Sequence, residues 1–331
     1  MIGTKIKDST HSGALGAAKW NASARQQDHE QPAGRAVICI RRLFAVSNRF
    51  GRFDRVWVPI ISLGLLDTVL ARRVGMRFLR WEKFSLMITF PAAVAGYYRV
   101  SGRSDRLADA GYYTTSWLIF STLGCILTYI AARTDLPLRD TQFTHYDAVL
   151  RFDWCQWVSF VASHKKFELI LAIAYSTILP QTVGSVIYFS HIRRPDRNDD
   201  LLWTTIVAAI MATVMSALLP ALGPHLKGQY VEWSATLAAI RDGSVSIFWL
   251  QHLQGIIAFP SFHTVAAILL MYSHRPPVPS FRAALILYLL MLLSVPSEGQ
   301  HYLVDVVSGA IVAAISIAAV RLVICPHALA K

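Results

Sequence analysis

The chain is short of charge, of acid and of cysteine. Only 16% of its residues are charged, 54% are hydrophobic, and the mean hydropathy is +0.42. A soluble domain carries about a quarter of its residues as charges, so a water-soluble globular protein is the first class to be excluded. The four cysteines, Cys39, Cys125, Cys155 and Cys325, include no pair at metal-ligand or redox-motif spacing. They are too scattered for a disulfide framework. The first 35 residues contain no apolar stretch of the kind that heads a secretory signal. They are polar and rich in Ala, Gly, Ser and Gln, which predicts a disordered tail and leaves insertion to the membrane helices.

The scarcity of acid leaves a formal charge of +12, from 32 Lys and Arg against 20 Asp and Glu. Residues 1–55 alone hold ten Lys or Arg against four Asp or Glu. A nucleic-acid binder spreads such charge over a folded face. Here it flanks apolar runs, so membrane lipids are the expected partner and nucleic acid is not.

Present in abundance are apolar runs of about 17–25 residues, the length that crosses a bilayer core. Candidate spans are 56–70, 84–98, 111–131, 169–189, 201–222, 255–272, 283–295 and 303–322. The fold class expected is therefore all-α, a polytopic transmembrane bundle of about six to eight spans. The first run is short and contains Asp67, so it either crosses or lies in the interface. Three parts follow: a basic tail over 1–55, accessory membrane helices over 56–131, and a main membrane domain over 132–331, to which the chemistry described below is assigned.

Between the runs lie polar segments at 132–167, 223–254 and 296–301, alternating with short basic connections at 191–197 and 273–282. The positive-inside rule makes the basic connections cytoplasmic. The polar segments then face outward, and both termini are cytoplasmic. The connection 72–83, with five basic residues, conflicts with this unless the first run does not cross. The location expected is a plasma membrane of the bacterial inner-membrane type.

Chemistry concentrates at two helix starts on the outward side. Phe259-Pro260-Ser261-Phe262-His263 opens one apolar run, and His301-Tyr302-Leu303-Val304-Asp305 opens another, with 38 residues from His263 to His301. His301 and Asp305 share a helix face at i, i+4, where a carboxylate can fix the imidazole tautomer and stabilise its charged form. Ionisable groups beside hydrocarbon are costly and point to function. His301 suits a nucleophile on phosphorus, and His263 suits the acid for the departing alcohol. Ser261, beside a helix start expected at Pro260, offers a hydroxyl next to free backbone N–H groups that favour phosphate. Arg241 and Lys227 are the further phosphate-binding candidates, with Arg151 on the same side. No metal or other cofactor is needed for this chemistry.

At these residues the chain resembles the type 2 phosphatidic acid phosphatase superfamily. That family's second motif, Pro-Ser-x-His, is matched by Pro260-Ser261-Phe262-His263, and the end of its third, His-x-x-x-Asp, by His301 to Asp305. The resemblance implies a helical membrane bundle over roughly Asp140 to Leu322. It also implies a third-motif histidine as nucleophile and a second-motif histidine as acid. Two departures stand out. The first motif, Lys-x6-Arg-Pro, has Ile187 at the Lys position before Arg194-Pro195, and Val295 replaces the arginine that opens the third motif after Ser294. Phe-Pro-Ser-Phe-His-Thr, Gly-x-His-Tyr-x-x-Asp and the Phe152-Asp153-Trp154 stretch look more like the inositolphosphorylceramide synthase-like branch, whose members pass a phospho-headgroup to an alcohol. The reading is thus a membrane enzyme acting on a lipid phosphoester, with water or an alcohol as acceptor. The rival is a non-catalytic lipid-phosphate-binding protein on the same scaffold.

Overall fold

Proline and polar caps decide where the apolar runs become helices. The computed structural model describes residues 54–224 and 231–324. The tail through residue 53 and Lys227 lie outside them. Twelve α-helices follow in order: α1 (Asp54–Arg73), α2 (Trp81–Ser101), α3 (Asp105–Ala131), α4 (Asp140–Val149), α5 (Trp154–Ser163), α6 (Lys165–Ser176), α7 (Ile178–His191), α8 (Pro195–Leu218), α9 (Val231–Asp242), α10 (Phe262–Ser273), α11 (Phe281–Glu298) and α12 (Leu303–Ala319). One small ladder joins β1 (Arg77–Leu79) in parallel to β2 (Ile247–Trp249), an element that the apolar pattern does not suggest.

Two expected spans need correction. The run 169–189 is two helices bent by 59°. Pro180 stands in the first turn of α7, where its ring clashes with the carbonyl four residues back and breaks the ladder. The run 255–272 is helical only from Phe262, because Pro260 lacks an N–H and biases Phe259 away from helix. Four helices, α3, α8, α11 and α12 with its continuation to Leu322, are long and apolar enough to cross a membrane, and the bent pair α6–α7 makes up to five. The helices α1 and α2 have the length but not the apolar composition, and α10 is apolar but has only 12 residues.

Side chains from α1, α3, α7, α8, α10, α11 and α12 share one apolar core, with Leu202, Val265, Leu269 and Met291 fully enclosed. Close helix approaches are set by glycine. A Cβ on Gly111 of α3 would lie 2.6 Å from the Pro91 carbonyl oxygen of α2. One on Gly309 of α12 would lie 2.6 Å from the Ser261 carbonyl oxygen at the start of α10.

The bundle has two chemically distinct ends. At one, Arg133 donates to the carbonyls of Val74, Ile240 and Val245, and Asp140 accepts from the backbone N–H groups of Leu222 and Gly223. At the other, Arg197 of α8 donates to the Arg275 and Pro276 carbonyls, and Arg275 pairs with Asp200 at 2.6 Å.

Candidate functional site

The histidine motifs meet at the first of these ends, and backbone contacts hold them there. The Ser261 N–H donates to the Asp305 carbonyl at 3.1 Å. Gly309, one turn further along α12, leaves no side chain between the two helices. His301 is buried, and its Nδ1 lies 3.2 Å from Oδ2 of the fully buried Asp305. The same carboxylate oxygen accepts from the Tyr302 N–H at 3.0 Å, so it caps α12 while it orients the imidazole. With Nδ1 engaged, Nε2 is the nitrogen left for chemistry.

His263 sits in the first turn of α10, and its ring stacks on Tyr175 of α6, with centroids 3.8 Å apart and planes 14° apart. Gly299 fits where a Cβ would strike both His301 and Tyr175 at 2.7 Å. Both histidines and Tyr175 line a single cavity of about 630 Å³ whose walls are mainly apolar. Among the described lining residues there is one carboxylate, Glu298, and no Lys or Arg.

The polar segment 132–167 supports this arrangement from behind. Asp147 of α4 accepts from the N–H groups of Leu303 and Val304, at 2.9 and 3.1 Å, at the start of α12. Burial pushes its carboxyl above the ordinary range, while these two N–H groups pull it back. Trp154 donates from its indole to the Pro296 carbonyl at 2.7 Å, and Asp153 caps α5 by accepting from the Gln156 N–H. Tyr302 packs on Phe143 and Phe259 in a small apolar cluster. Burial raises its phenol to about 12.

The structure therefore brings His263, His301 and Asp305 together, with Ser261 beside them. Ser261 differs from expectation in one respect. The helix starts at Phe262 rather than Pro260, and the buried Ser261 is its N-cap, accepting from the Thr264 N–H at 3.4 Å. It does not line the cavity. Arg241 is not brought to the site either: its guanidinium donates to the Leu136 carbonyl at 2.6 Å, away from the cavity lining. Arg194 pairs with Asp196 at the start of α8 and does not line the cavity, which α8 reaches only from Thr205 onward. Tyr175 was not visible in the sequence as a site residue. A tyrosine in an apolar run has no local signal, and its contact with His263 spans 88 positions.

This arrangement can attack a phosphorus atom from Nε2 and hold the resulting imidazolium against a carboxylate, with a second imidazole in the same cavity for proton transfer. A family model described as the PAP2 superfamily matches residues 141–319, more than half of the chain. No curated protein matches the chain, and no solved structure does.

Proposed function

The chain belongs to the PAP2 superfamily, and on that premise we propose that it is a membrane enzyme that cleaves a lipid phosphoester through a phosphohistidine. The observation that carries this reading is the buried Asp305–His301 pair facing the same apolar cavity as His263. In the proposed sequence, His301 Nε2 forms a bond to phosphorus as the bond to the lipid alkoxide breaks. His263, protonated, gives its proton to that departing oxygen. Asp305 keeps the proton on Nδ1 and stabilises the imidazolium. Water or an alcohol then attacks the phosphohistidine, His263 takes the attacker's proton, and the N–P bond breaks. The acceptor decides between hydrolysis and transfer. The Phe-Pro-Ser-Phe-His-Thr pattern inclines the reading towards the inositolphosphorylceramide synthase-like branch and so towards an alcohol.

The same reading extends to placement. The short basic connections at 191–197 and 273–282 become cytoplasmic, with the site at the outer face of a plasma membrane, in a bundle of six to eight spans that counts α10, α1 and α2 beside the long apolar helices. Phosphate contacts come from helix starts and from basic residues such as Lys227.

Purified protein in lipid nanodiscs, offered phospholipid, sphingolipid and polyprenyl phosphate donors, tests the reading, with His301→Ala as blank. Released phosphate above the blank identifies a phosphatase. A new phosphodiester lipid identifies a phosphotransferase and its acceptor. Binding of the donors with turnover equal to the blank would replace this reading by the lipid-phosphate-binding one.

A further inference from the structure

The cavity that holds the histidines is walled on one side by a helix outside the matched family residues. That helix is α3. Trp117, Ser121, Gly124 and Thr128 recur at intervals of three and four and so share one face, and all four line the cavity. The site-proximal end of this face is fixed by Cys125, whose thiol lies 3.3 Å from the Gln254 carbonyl oxygen. That residue belongs to the segment leading into α10. From Thr128 down to Trp117 the face covers about 16 Å of helix, roughly half of a 30 Å hydrocarbon core. The side chains along it are small from Thr128 to Ser121, and Phe120, packed against Trp117, closes its far end with it. A Cβ built on Gly124 meets no atom within 4 Å, so this glycine borders open space. Two side chains at the cavity wall, Met87 of α2 and Leu179 of α7, are about half exposed and apolar. Such a rim suits entry from the hydrocarbon layer.

We propose that α3 forms the wall of a chain-binding subsite, in which the acyl or prenyl chain of the substrate lies along Thr128, Gly124 and Ser121 and ends against Trp117. The inference rests on the lipid phosphoester reading and assigns to α3 the choice of chain length. Selection is steric: bilayer and subsite are both apolar, so transfer between them gains little, and fit decides which chain reaches the histidines. The helices before the matched segment are then part of the substrate site rather than an anchor.

Gly124→Phe tests this, because the ring has open space to enter and the fold has no clash to absorb. Gly96→Phe on α2, where a Cβ also meets nothing within 4 Å but which does not line the cavity, is the control. The first readout needs no turnover. Hexadecyl phosphate with a terminal diazirine is photolysed with the full chain in nanodiscs, and labelled peptides are mapped by mass spectrometry. Labels on the peptide around Trp117, competed by hexadecyl phosphate and lost in Gly124→Phe but not in Gly96→Phe, are expected. Labels confined to exposed positions such as Leu86 and Phe90 on α2, or equal in both variants, would overturn the subsite. The second readout is kcat/KM for hexadecyl against hexyl phosphate. Gly124→Phe should lower the ratio at least about tenfold, and equal losses for both chains would overturn the ruler. Wild type that labels at Trp117 yet turns over no donor would fault the enzymatic reading while leaving the subsite standing.

Discussion

Each end of the bundle buries a histidine, and the two are used in opposite ways. At the end away from the cavity, His274 spends both ring nitrogens on hydroxyls, 3.1 Å from Ser185 and 2.6 Å from Ser280. It is wrapped by the rings of Tyr188, Phe189 and Tyr288. At the other end, His301 engages one nitrogen with Asp305 and lines an open cavity with the rest of its ring. Burial alone does not distinguish them, since both are almost inaccessible. What separates the fastening from the proposed nucleophile is an uncommitted nitrogen with space in front of it.

That contrast can be broken most sharply by deleting each ring. His301→Ala should lower turnover by more than about 10³-fold while the protein still inserts and melts like wild type. His274→Ala should do the reverse. It removes two hydrogen bonds, to Ser185 and Ser280, each worth about 0.5–1.5 kcal/mol, with turnover of the folded protein unchanged. Thermal melts and phosphate release on both variants decide this, and a catalytic loss in His274→Ala equal to that in His301→Ala would erase the distinction. Next in size comes Gly309→Val. Its side chain would press on the Ser261 carbonyl, and overpacking of this kind costs about 1–3 kcal/mol. Activity should fall with stability because the same contact sets the spacing of the two motifs.

A smaller effect sharpens the far end. Burial, with help from the Arg197 charge, holds His274 down at about 4. The unfolded ring binds a proton near 6.5, so unfolding takes up a proton between those values. His274 therefore contributes stability that is complete above pH 6.5 and lost as pH falls towards 4. Melting temperature should drop across that window and drop less in His274→Gln. Identical profiles would remove the assignment. Smallest is Arg194→Ala. Its pair with Asp196 is partly exposed, with side chains 31% and 52% accessible, so the loss should stay within about 1 kcal/mol, and turnover should change less than twofold. A large loss of turnover would place Arg194 in the phosphate site after all.

How much of this was legible depended on distance along the chain. His301 and Asp305 are four residues apart and announce their pairing. His263 follows Pro260-Ser261 closely enough to place it in a first helical turn. The apolar runs gave the main helices because a bilayer-length run has few other uses. Contacts between remote segments were not legible. The β1–β2 ladder pairs Arg77 with Ile247 through two three-residue strands, too short to show alternation. Asp147 lies in the polar segment 132–167, and only the folded chain shows it holding two N–H groups of α12. The break at Thr177 was readable in principle from Pro180, but the continuous hydropathy on both sides of it masked the signal.

The hydrogen bond from Ser261 N–H to the Asp305 carbonyl has one more consequence. It fastens the two histidine-bearing helix starts to each other through main chain, and Asp147 fastens the second to α4. A substrate that parts the walls of the cavity does so without changing the interval between the imidazoles. In the proposed reaction the two imidazoles would then move as one block, so that admitting a ligand and breaking the phosphoester bond are separate degrees of freedom. Little reorganisation is then left for the bond-breaking step itself.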